Sequence, residues 1–221
     1  MRIAVLGASG RVGRLLVDQA VGRGHQVVAL VREPDRFSAS SPAAEKVEVR
    51  RADVTDPQTF PDLGDLDVVV STLGIRKADG PGALVAGARA LAATGVRTVW
   101  LGALGSGGST GAGGAFYQGV MRMFVGAELA EKAEADGIAM RAGATVVHAP
   151  DLGNGPLSPR RGAVRLADYP RPLLIPRISR ATAAAVLLDE AEAGRHGAQP
   201  GRHGVKPGGH GAEIVVAVGK A

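Results

Sequence analysis

The sequence predicts a single α/β domain with a doubly wound parallel sheet, and three observations support this class. Short β-branched runs alternate with longer alanine-rich segments of helical period over residues 1–150, which is typical of βαβ units. Runs such as Val68-Val69-Val70 are apolar throughout, as expected for strands covered on both faces. A glycine-rich turn directly follows the first run. Together these features predict a Rossmann-like domain.

The elements follow from the runs in chain order. Strands are predicted at residues 3–6, 26–31, 47–50, 68–71, 96–101 and 145–148, and helices at 11–22, 81–93 and about 117–142. Residues 102–115 are almost all glycine, serine, alanine and threonine, which predicts a mobile loop after the fifth strand. Prolines and arginines in residues 150–176 predict a small substrate-side excursion with short strands at 163–166 and 173–175. A final helix is predicted at 179–193, with Ser179 at its start and Gly194 at its stop.

The last part of the chain differs in composition. The dinucleotide-binding domain is predicted to span residues 1–193, followed by a glycine, histidine and proline repeat of period seven over 194–212. Its spaced histidines could bind a transition metal, but no carboxylate completes a ligand set, so a flexible linker without a metal is favoured. Residues 213–221 form a possible edge strand. Truncation after Gly194 is therefore expected to have at most a modest effect on stability.

Composition excludes several classes of protein. Of 221 residues, 45% are hydrophobic and 21% are charged, which is typical of a soluble globular chain. Aromatic residues make up only 3%, too few for stacking platforms, so a nucleic-acid partner is disfavoured. The absence of cysteine favours a reducing cytoplasm, and no apolar run is long enough to predict a membrane span. The net charge of +5 is explained as well by a bound phosphate as by DNA.

The strongest motif is the phosphate cradle that follows the first strand. Gly7, Gly10 and Gly13 form a G-x-x-G-x-x-G pattern at the start of the first helix, in the segment Gly7-Ala8-Ser9-Gly10-Arg11-Val12-Gly13. The first glycine permits a tight turn, the second admits a pyrophosphate, and the third allows close packing of helix on strand. The helix N-terminus adds favourable charge. The pattern therefore predicts a bound dinucleotide.

The residue after the second strand distinguishes between two cofactors. An Asp or Glu there would hydrogen-bond a ribose 2′-hydroxyl, but this chain has Arg32, which suits a 2′-phosphate. Arg11 and Arg36 could converge on the same phosphate, so NADP(H) is favoured over NAD(H). The alternative is a solvated Arg32 paired with Glu33 or Asp35.

Two later strand ends are further candidates for the cofactor site. Asp53-Val54 could hold the adenine, and Thr72-Leu73-Gly74 could face the nicotinamide ribose. Either segment could instead be an ordinary turn at the end of a strand.

Several blocks of sequence resemble a known family. GASGRVGRLLVDQAVGRGHQVVALVREPDR, ADVTD, STLG, the segment around Lys132, HAP and ISRATAAAVLLDE are similar to atypical short-chain dehydrogenases/reductases, a group with flavin reductase-like and NmrA-like members. The resemblance covers about residues 1–193 and implies a dinucleotide-binding fold. It implies cofactor contacts from Gly7, Ser9, Gly10, Arg11, Val12, Gly13, Arg32, Arg36, Asp53, Val54, Leu73 and Gly74. It also implies that Pro150 to Leu152 close over the nicotinamide.

The usual catalytic pair of short-chain dehydrogenases is missing. Those enzymes use Tyr-x-x-x-Lys, but here Met121 lies four residues after Tyr117. Candidate catalytic residues are Tyr117, Lys132 and Asp151, each with a simpler alternative: a half-buried ring, a surface charge paired with Glu128, and an exposed loop carboxylate. His148 lies in an apolar strand and is predicted to be a hydrogen-bonded core residue.

These features favour an NADPH-dependent reductase of a small, planar, conjugated acceptor such as a flavin, a quinone or a related pigment. Such chemistry depends on positioning more than on an acid–base pair. The main alternative is a non-catalytic NADP(H)-binding sensor or interaction protein. A sugar epimerase or dehydratase is a weaker alternative, because it would need a base and a larger substrate domain.

Overall fold

The computed structural model describes residues 1–39, 46–75, 80–112, 114–170, 177–194 and 213–220, without the side chains of 115–127 and 220. The strands are β1 (Arg2–Leu6), β2 (Gln26–Val31), β3 (Val47–Arg51), β4 (Val68–Ser71), β5 (Thr98–Ala103), β6 (Thr145–Ala149), β7 (Asp151–Gly153), β8 (Arg160–Arg165), β9 (Arg177–Ser179) and β10 (Glu213–Lys220). The helices are α1 (Arg11–Gly22), α2 (Ala83–Thr94), α3 (Ala115–Arg141) and α4 (Arg180–Ala193).

Eight strands form the main sheet in the order β3-β2-β1-β4-β5-β6-β10-β8. All neighbours pair in parallel except β10 and β8, which are antiparallel. The strand order reverses between β1 and β4, which is the switch point where doubly wound sheets open a ligand crevice. The predicted fold class is confirmed.

Helices cover both faces of the sheet. One apolar core joins the sheet to α1 and α4 through residues such as Leu16 and Leu187. The other joins it to α2 and α3 through Leu91 and Ala139. Because both faces are covered, the central strands are buried along their length: Ile3, Val69 and Val99 are all 0% exposed. This burial explains their unbroken apolar sequence.

The position predicted for the last strand is wrong. A strand does form at Glu213–Lys220, but β10 lies inside the sheet, between β6 and β8, and β8 is the edge strand. Val216 and Ala217 are fully or nearly fully buried. The edge expectation failed because it used local sequence alone, whereas β10 pairs with strands far from it in the chain. Residues 195–212, including the repeat histidines, lie outside the described residues, as does the predicted strand at 173–175, so the domain division at 193 stays a prediction.

The two ends of α4 are fixed by different interactions, one predicted from the sequence and one not. Ser179 Oγ accepts a hydrogen bond from the Thr182 N–H at 3.0 Å, which is the predicted N-cap. At the other end Gly194 has φ −62°, which any residue can adopt. A Cβ at Gly194 would instead collide with the guanidinium of Arg97, which donates to the last carbonyls of the helix at Glu190 and Ala191. Within the described part of the chain, none of the helices has the length and hydrophobicity to cross a bilayer.

Candidate functional site

The turn between β1 and α1 forms a tight cradle. Gly7 has φ +80°, a left-handed conformation that favours glycine. The Gly10 N–H donates to the Gly7 carbonyl at 2.9 Å, and α1 begins at the next residue. A Cβ at Gly13 would lie 2.2 Å from the Gly7 carbonyl oxygen, so only glycine lets the helix pack this closely on the turn. The geometry fits a pyrophosphate at the N-terminus of α1, and Arg11 supplies a nearby cation.

A cleft of about 690 Å³ opens above this cradle, at the carboxyl ends of β1, β2 and β4. This volume lies within the range of pockets that hold small ligands and cofactors, roughly 300–1,000 Å³. Twelve of the predicted cofactor residues line the cleft: Gly7, Ser9, Gly10, Arg11, Val12, Arg32, Asp53, Val54, Thr72, Leu73, Gly74 and Leu152. The structure thus brings together residues that are far apart in sequence.

Four other predicted cofactor residues lie elsewhere. Ala8 is fully buried below the cradle, and Gly13 packs against Gly7. The Arg36 side chain is 82% exposed and pairs with Glu33 at 2.8 Å, outside the residues that line the cleft. Pro150 lines a second pocket, described below, that adjoins the cleft.

The end of the cleft next to β2 and β3 combines opposite charges. Arg32 is exposed at the end of β2 and lines the cleft together with Asp53, which follows β3. Thr55 donates to Asp53 Oδ1 through its hydroxyl at 2.7 Å and its N–H at 3.0 Å. These hydrogen bonds lower the pKa of Asp53, and the charges of Arg32 and Arg51 lower it further. Asp53 is therefore held as an anion close to Arg32, and both side chains line this end of the cleft.

A second pocket, of about 420 Å³, adjoins the cleft. The two cavities share five lining residues: Leu73, Gly74, Leu84, Leu101 and Leu152. The walls of the second pocket are mainly apolar, and its charged lining residues are Lys132, Asp136 and Asp151.

The predicted catalytic residues have different surroundings. Lys132 lines the second pocket, and its Nζ lies 3.9 Å from Glu128 Oε2 on the same helix. Asp151 also lines this pocket, where Arg177 Nε donates to its Oδ2 at 2.8 Å. Tyr117 belongs to α3, but its side chain lies outside the described residues. Lys132 and Asp151 are thus brought to one pocket although both also have an ion-pair partner.

A buried polar network behind the second pocket was not found by sequence reasoning. Asp136 on α3 accepts from Trp100 Nε1 at 3.0 Å and from Ser106 Oγ at 2.9 Å, and its Oδ2 lies 3.1 Å from His148 Nε2. His148 Nδ1 lies 2.6 Å from Ser109 Oγ. Ser106 and Ser109, both in the predicted loop after β5, are at most 1% exposed. The prediction that His148 is a hydrogen-bonded core residue is confirmed.

A signal for this network was present in the sequence. Trp100 and His148 lie in strands that are covered on both faces, and each carries a polar nitrogen that needs a partner when buried. Such partners come from the segments that cover the strands, here Asp136 of α3 and Ser109 of the loop after β5.

Comparison with known proteins identifies the class. The chain matches a family described as NAD(P)H-binding over residues 7–193. It therefore belongs to this NAD(P)H-binding family, and it shares its fold with solved structures described as short-chain dehydrogenases/reductases. No curated protein matches the chain in sequence.

Solved structures share this fold at low identity. A short-chain dehydrogenase/reductase from Veillonella parvula, solved with NADP, has a TM-score of 0.72 at 13% identity and covers 98% of this chain and 93% of its own. A candidate NADH-flavin reductase from Streptococcus pneumoniae has a TM-score of 0.68 at 21% identity, with full coverage of both chains, 100% each. A candidate NAD-dependent epimerase/dehydratase from Bacillus halodurans has a TM-score of 0.67 at 19% identity and covers 100% of this chain and 94% of its own. These likenesses show the fold.

Proposed function

We propose that the chain is an NADPH-dependent oxidoreductase that reduces a small, planar, conjugated acceptor, such as a flavin or a quinone, by hydride transfer. The observation that carries the proposal is the junction of the two cavities, which have five lining residues in common. A dinucleotide lying along the cleft from the cradle would reach the mouth of the second pocket. An acceptor in that pocket would then lie directly against the reactive end of the cofactor.

The apolar walls of the second pocket support a planar aromatic acceptor. Leu73, Leu84, Leu101 and Leu152 present hydrocarbon surface around the junction. A bound reduced nicotinamide supplies a hydride, which is two electrons and one hydrogen nucleus. The protein must hold the acceptor ring flat, exclude water and provide a proton. Lys132 and Asp151 are the proposed polar contacts of the acceptor, and Tyr117 stays a candidate from the sequence.

The preference for NADPH rests on Arg32. Its guanidinium can hold a 2′-phosphate through charge-assisted hydrogen bonds, whereas NADH offers only a hydroxyl at that point. The carboxylate of Asp53 would accept a hydrogen bond from the adenosine. Because Arg36 pairs with Glu33 outside the cleft lining, we assign the 2′-phosphate to Arg32, with Arg11 as a second cation that lines the cleft. The cytoplasmic location stays a prediction from composition.

The test is a turnover assay with two acceptors. The protein is incubated with NADPH and either FMN or menadione, and the loss of nicotinamide absorbance is followed. We expect turnover with at least one acceptor and slower turnover when NADH replaces NADPH. Tight NADPH binding with no turnover of any flavin or quinone would instead favour the sensor, an alternative supported by the missing Tyr-x-x-x-Lys pair.

A further inference from the structure

We propose that Arg180 binds an anionic group carried by the acceptor, so that the preferred acceptors are conjugated rings with a phosphate or carboxylate substituent. Arg180 is then a specificity-determining residue, which selects FMN over riboflavin although the two flavins have the same reactive ring. The inference rests on the proposed function, because it concerns the acceptor of that reaction. It adds a requirement for charge that the apolar walls of the second pocket do not impose.

Arg180 lies close to the junction of the two cavities. It is the first residue of α4 and lines the cleft together with Leu152, which also lines the second pocket. The strands β7 and β9 pair in parallel, with Leu152 opposite Ile178. Two residues further along this register, Arg180 Nη1 donates to Asn154 Oδ1 at 2.7 Å. The small two-stranded sheet therefore fixes the guanidinium beside the junction.

The charge of Arg180 is not neutralised by a carboxylate. Among the residues that the structure describes, its polar contact is the neutral amide of Asn154, and no acidic side chain lies within ion-pair distance of it. Arg177 on β9 differs in this respect, because its Nη2 lies 2.6 Å from Asp151 Oδ2 and its side chain is 71% exposed. A guanidinium has five N–H donors, so one bond to an amide leaves the charge and most donors available for a ligand.

The dinucleotide offers no separate anion for this cation. The described lining of the cleft includes three arginines, Arg11, Arg32 and Arg180. Arg11 lies at the cradle and Arg32 at the end of β2, and these are the positions proposed for the pyrophosphate and the 2′-phosphate. NADPH has no further phosphate, and its reduced nicotinamide ring is neutral. A cation beside the junction is therefore left for a group of the acceptor.

The surroundings of Arg180 favour an ion pair with a bound ligand. Arg180 is half-buried, and Leu101 and Leu152 contribute apolar surface to the same cleft. A ligand that fills the second pocket excludes water from the junction, so a charge-assisted hydrogen bond formed there is screened less than at an open surface. The bond to Asn154 holds the guanidinium in place beforehand, which reduces the side-chain entropy lost on binding.

The two cavities together define the parts of a suitable acceptor. The apolar second pocket suits a flat ring, and Arg180 suits an anionic group on a chain that extends from this ring towards the cleft. FMN has both parts, since its ribityl chain ends in a phosphate that can accept two hydrogen bonds from one guanidinium. Riboflavin has the same ring and chain but ends in a hydroxyl. The two flavins therefore differ only in the group that Arg180 is proposed to bind.

Steady-state kinetics with these two flavins test the proposal. NADPH is the reductant, and the buffer contains no phosphate, because a free anion would occupy the same guanidinium. We expect the wild-type protein to favour FMN over riboflavin in kcat/KM by roughly tenfold, the effect of one charged hydrogen bond at a half-buried site. Arg180→Gln should raise the KM for FMN and remove this preference, whereas kcat/KM for riboflavin changes by less than about twofold. Arg180→Lys keeps the cation and should retain part of the preference.

The charge-matched control is Arg89→Gln. Arg89 lies on α2, is exposed, and its Nη2 lies 3.3 Å from Glu134 Oε1, outside the lining of both cavities. This variant loses the same positive charge and should keep the preference for FMN. Calorimetric titration with NADPH checks the fold and the cofactor site, and the Kd of Arg180→Gln should stay within about twofold of the wild-type value.

A binding measurement separates this inference from the proposed function. Flavin fluorescence is titrated with protein saturated with NADP⁺, which supplies no hydride, so that no turnover is needed. Tighter binding of FMN than of riboflavin, lost in Arg180→Gln, supports the anion site even if no acceptor is reduced, and in that case only the proposed function fails. Equal binding of the two flavins, or an equal loss for both in Arg180→Gln, would overturn the inference. A Kd for NADPH that rises in Arg180→Gln as much as that for FMN would also overturn it, because Arg180 would then bind the cofactor.

Discussion

The two halves of the sheet are assembled by different means. In the half formed by β3, β2, β1 and β4, neighbouring strands are at most three steps apart in the chain order, and all pair in parallel. In the half formed by β6, β10 and β8, the central strand comes last in the chain and pairs in parallel on one side and antiparallel on the other. The first half carries the cradle and Arg32, and the second supplies His148 and strands beside the second pocket.

If the proposed function holds, this difference separates cofactor binding from the chemistry of the reaction. The half with β3, β2, β1 and β4, here called the nucleotide half, can bind a cofactor with short-range features alone. These features are a tight turn, a helix N-terminus and one cation after a strand. The other half depends on long-range pairing, and its polar groups are buried behind the pocket rather than exposed at strand ends. Changes in the first half should therefore affect cofactor affinity, whereas changes in the second should affect stability or turnover.

The largest effect is expected when β10 is removed by truncation after Gly194, and this replaces the modest effect expected for an edge strand, because β10 lies inside the sheet. Val215 and Val216 lose their burial, at about 1.5–3 kcal/mol each, and the backbone hydrogen bonds to two neighbours are lost as well. The total is comparable with the whole stability of a domain, about 5–15 kcal/mol. Thermal melts followed by circular dichroism should show no cooperative unfolding. Glu213→Gln, an exposed change at the start of the same strand, should melt like wild type; a truncated chain that does so too would contradict the central position of β10.

The cradle should show the opposite behaviour, with binding lost and the fold kept. Gly10 has φ −73° and ψ 169°, which a branched residue can adopt, although a Cβ there would lie 3.1 Å from the Gly7 carbonyl oxygen. We expect Gly10→Val to weaken NADPH binding by at least about 100-fold, because the side chain fills the space of the pyrophosphate. Calorimetric titration gives the affinity. Gly22→Val, the same substitution where no atom lies within 4 Å, is the control and should bind normally.

A smaller and more selective effect is expected at Arg32. Arg32→Ala removes a charged hydrogen bond of about 1.5–3 kcal/mol, so the Kd for NADPH should rise by roughly 10- to 150-fold while that for NADH hardly changes. Arg36→Ala, at an exposed residue outside the cleft lining, is the matched control and should leave both affinities unchanged. If Arg36→Ala and Arg32→Ala weaken NADPH binding equally, the assignment of the 2′-phosphate to Arg32 is lost.

The smallest expected effect is a change in the free energy of unfolding, and it concerns the carboxylate of Glu190 near β10. Burial raises the pKa of Glu190, and the charge of Glu213 on β10 raises it further. The folded protein thus holds this proton more tightly than the unfolded chain, so its contribution to stability is lost as the pH rises from 4.5 through the folded pKa. Glu190→Gln removes this loss and should raise the free energy of unfolding at neutral pH by at most about 1 kcal/mol, after allowance for solvent screening.

Urea unfolding at acidic and neutral pH measures this difference. Glu192→Gln on the same helix is the control with the opposite sign. Burial disfavours the Glu192 carboxylate, but hydrogen bonds from His25 and Arg23 outweigh it and lower the pKa. Its replacement should reduce stability at neutral pH. A Glu190→Gln variant that is less stable than wild type at neutral pH would contradict the pKa direction.

Sequence reasoning succeeded where the determinants are local. The run before Gly7, the spacing of the three glycines and the helix after them define β1, the cradle and α1 without reference to the rest of the chain. The cap at Ser179 is equally local. For the same reason Arg32 could be placed at the cleft from its position after β2.

It failed where distant segments meet. The strand propensity of residues 213–220 predicts β10, but nothing in that segment specifies that β6 and β8 will lie on either side of it. Asp136 lies in a helix with polar neighbours such as Glu134, so its burial is not visible in the pattern. The role of Gly194 was missed because it depends on Arg97, nearly a hundred residues earlier in the chain.

The central position of β10 has a consequence for the order in which the protein can be completed during synthesis. Both neighbours of this strand precede it in the chain, so β6 has an open hydrogen-bonding edge and β8 has no partner in the sheet until residues 213–220 have been made. An open edge of this kind pairs readily with strands of other chains. The nascent protein therefore passes through a stage in which its nucleotide half can already be folded while an interior gap remains in the sheet. Until the last strand fills that gap, the chain competes between completing its own sheet and pairing with a strand of another chain.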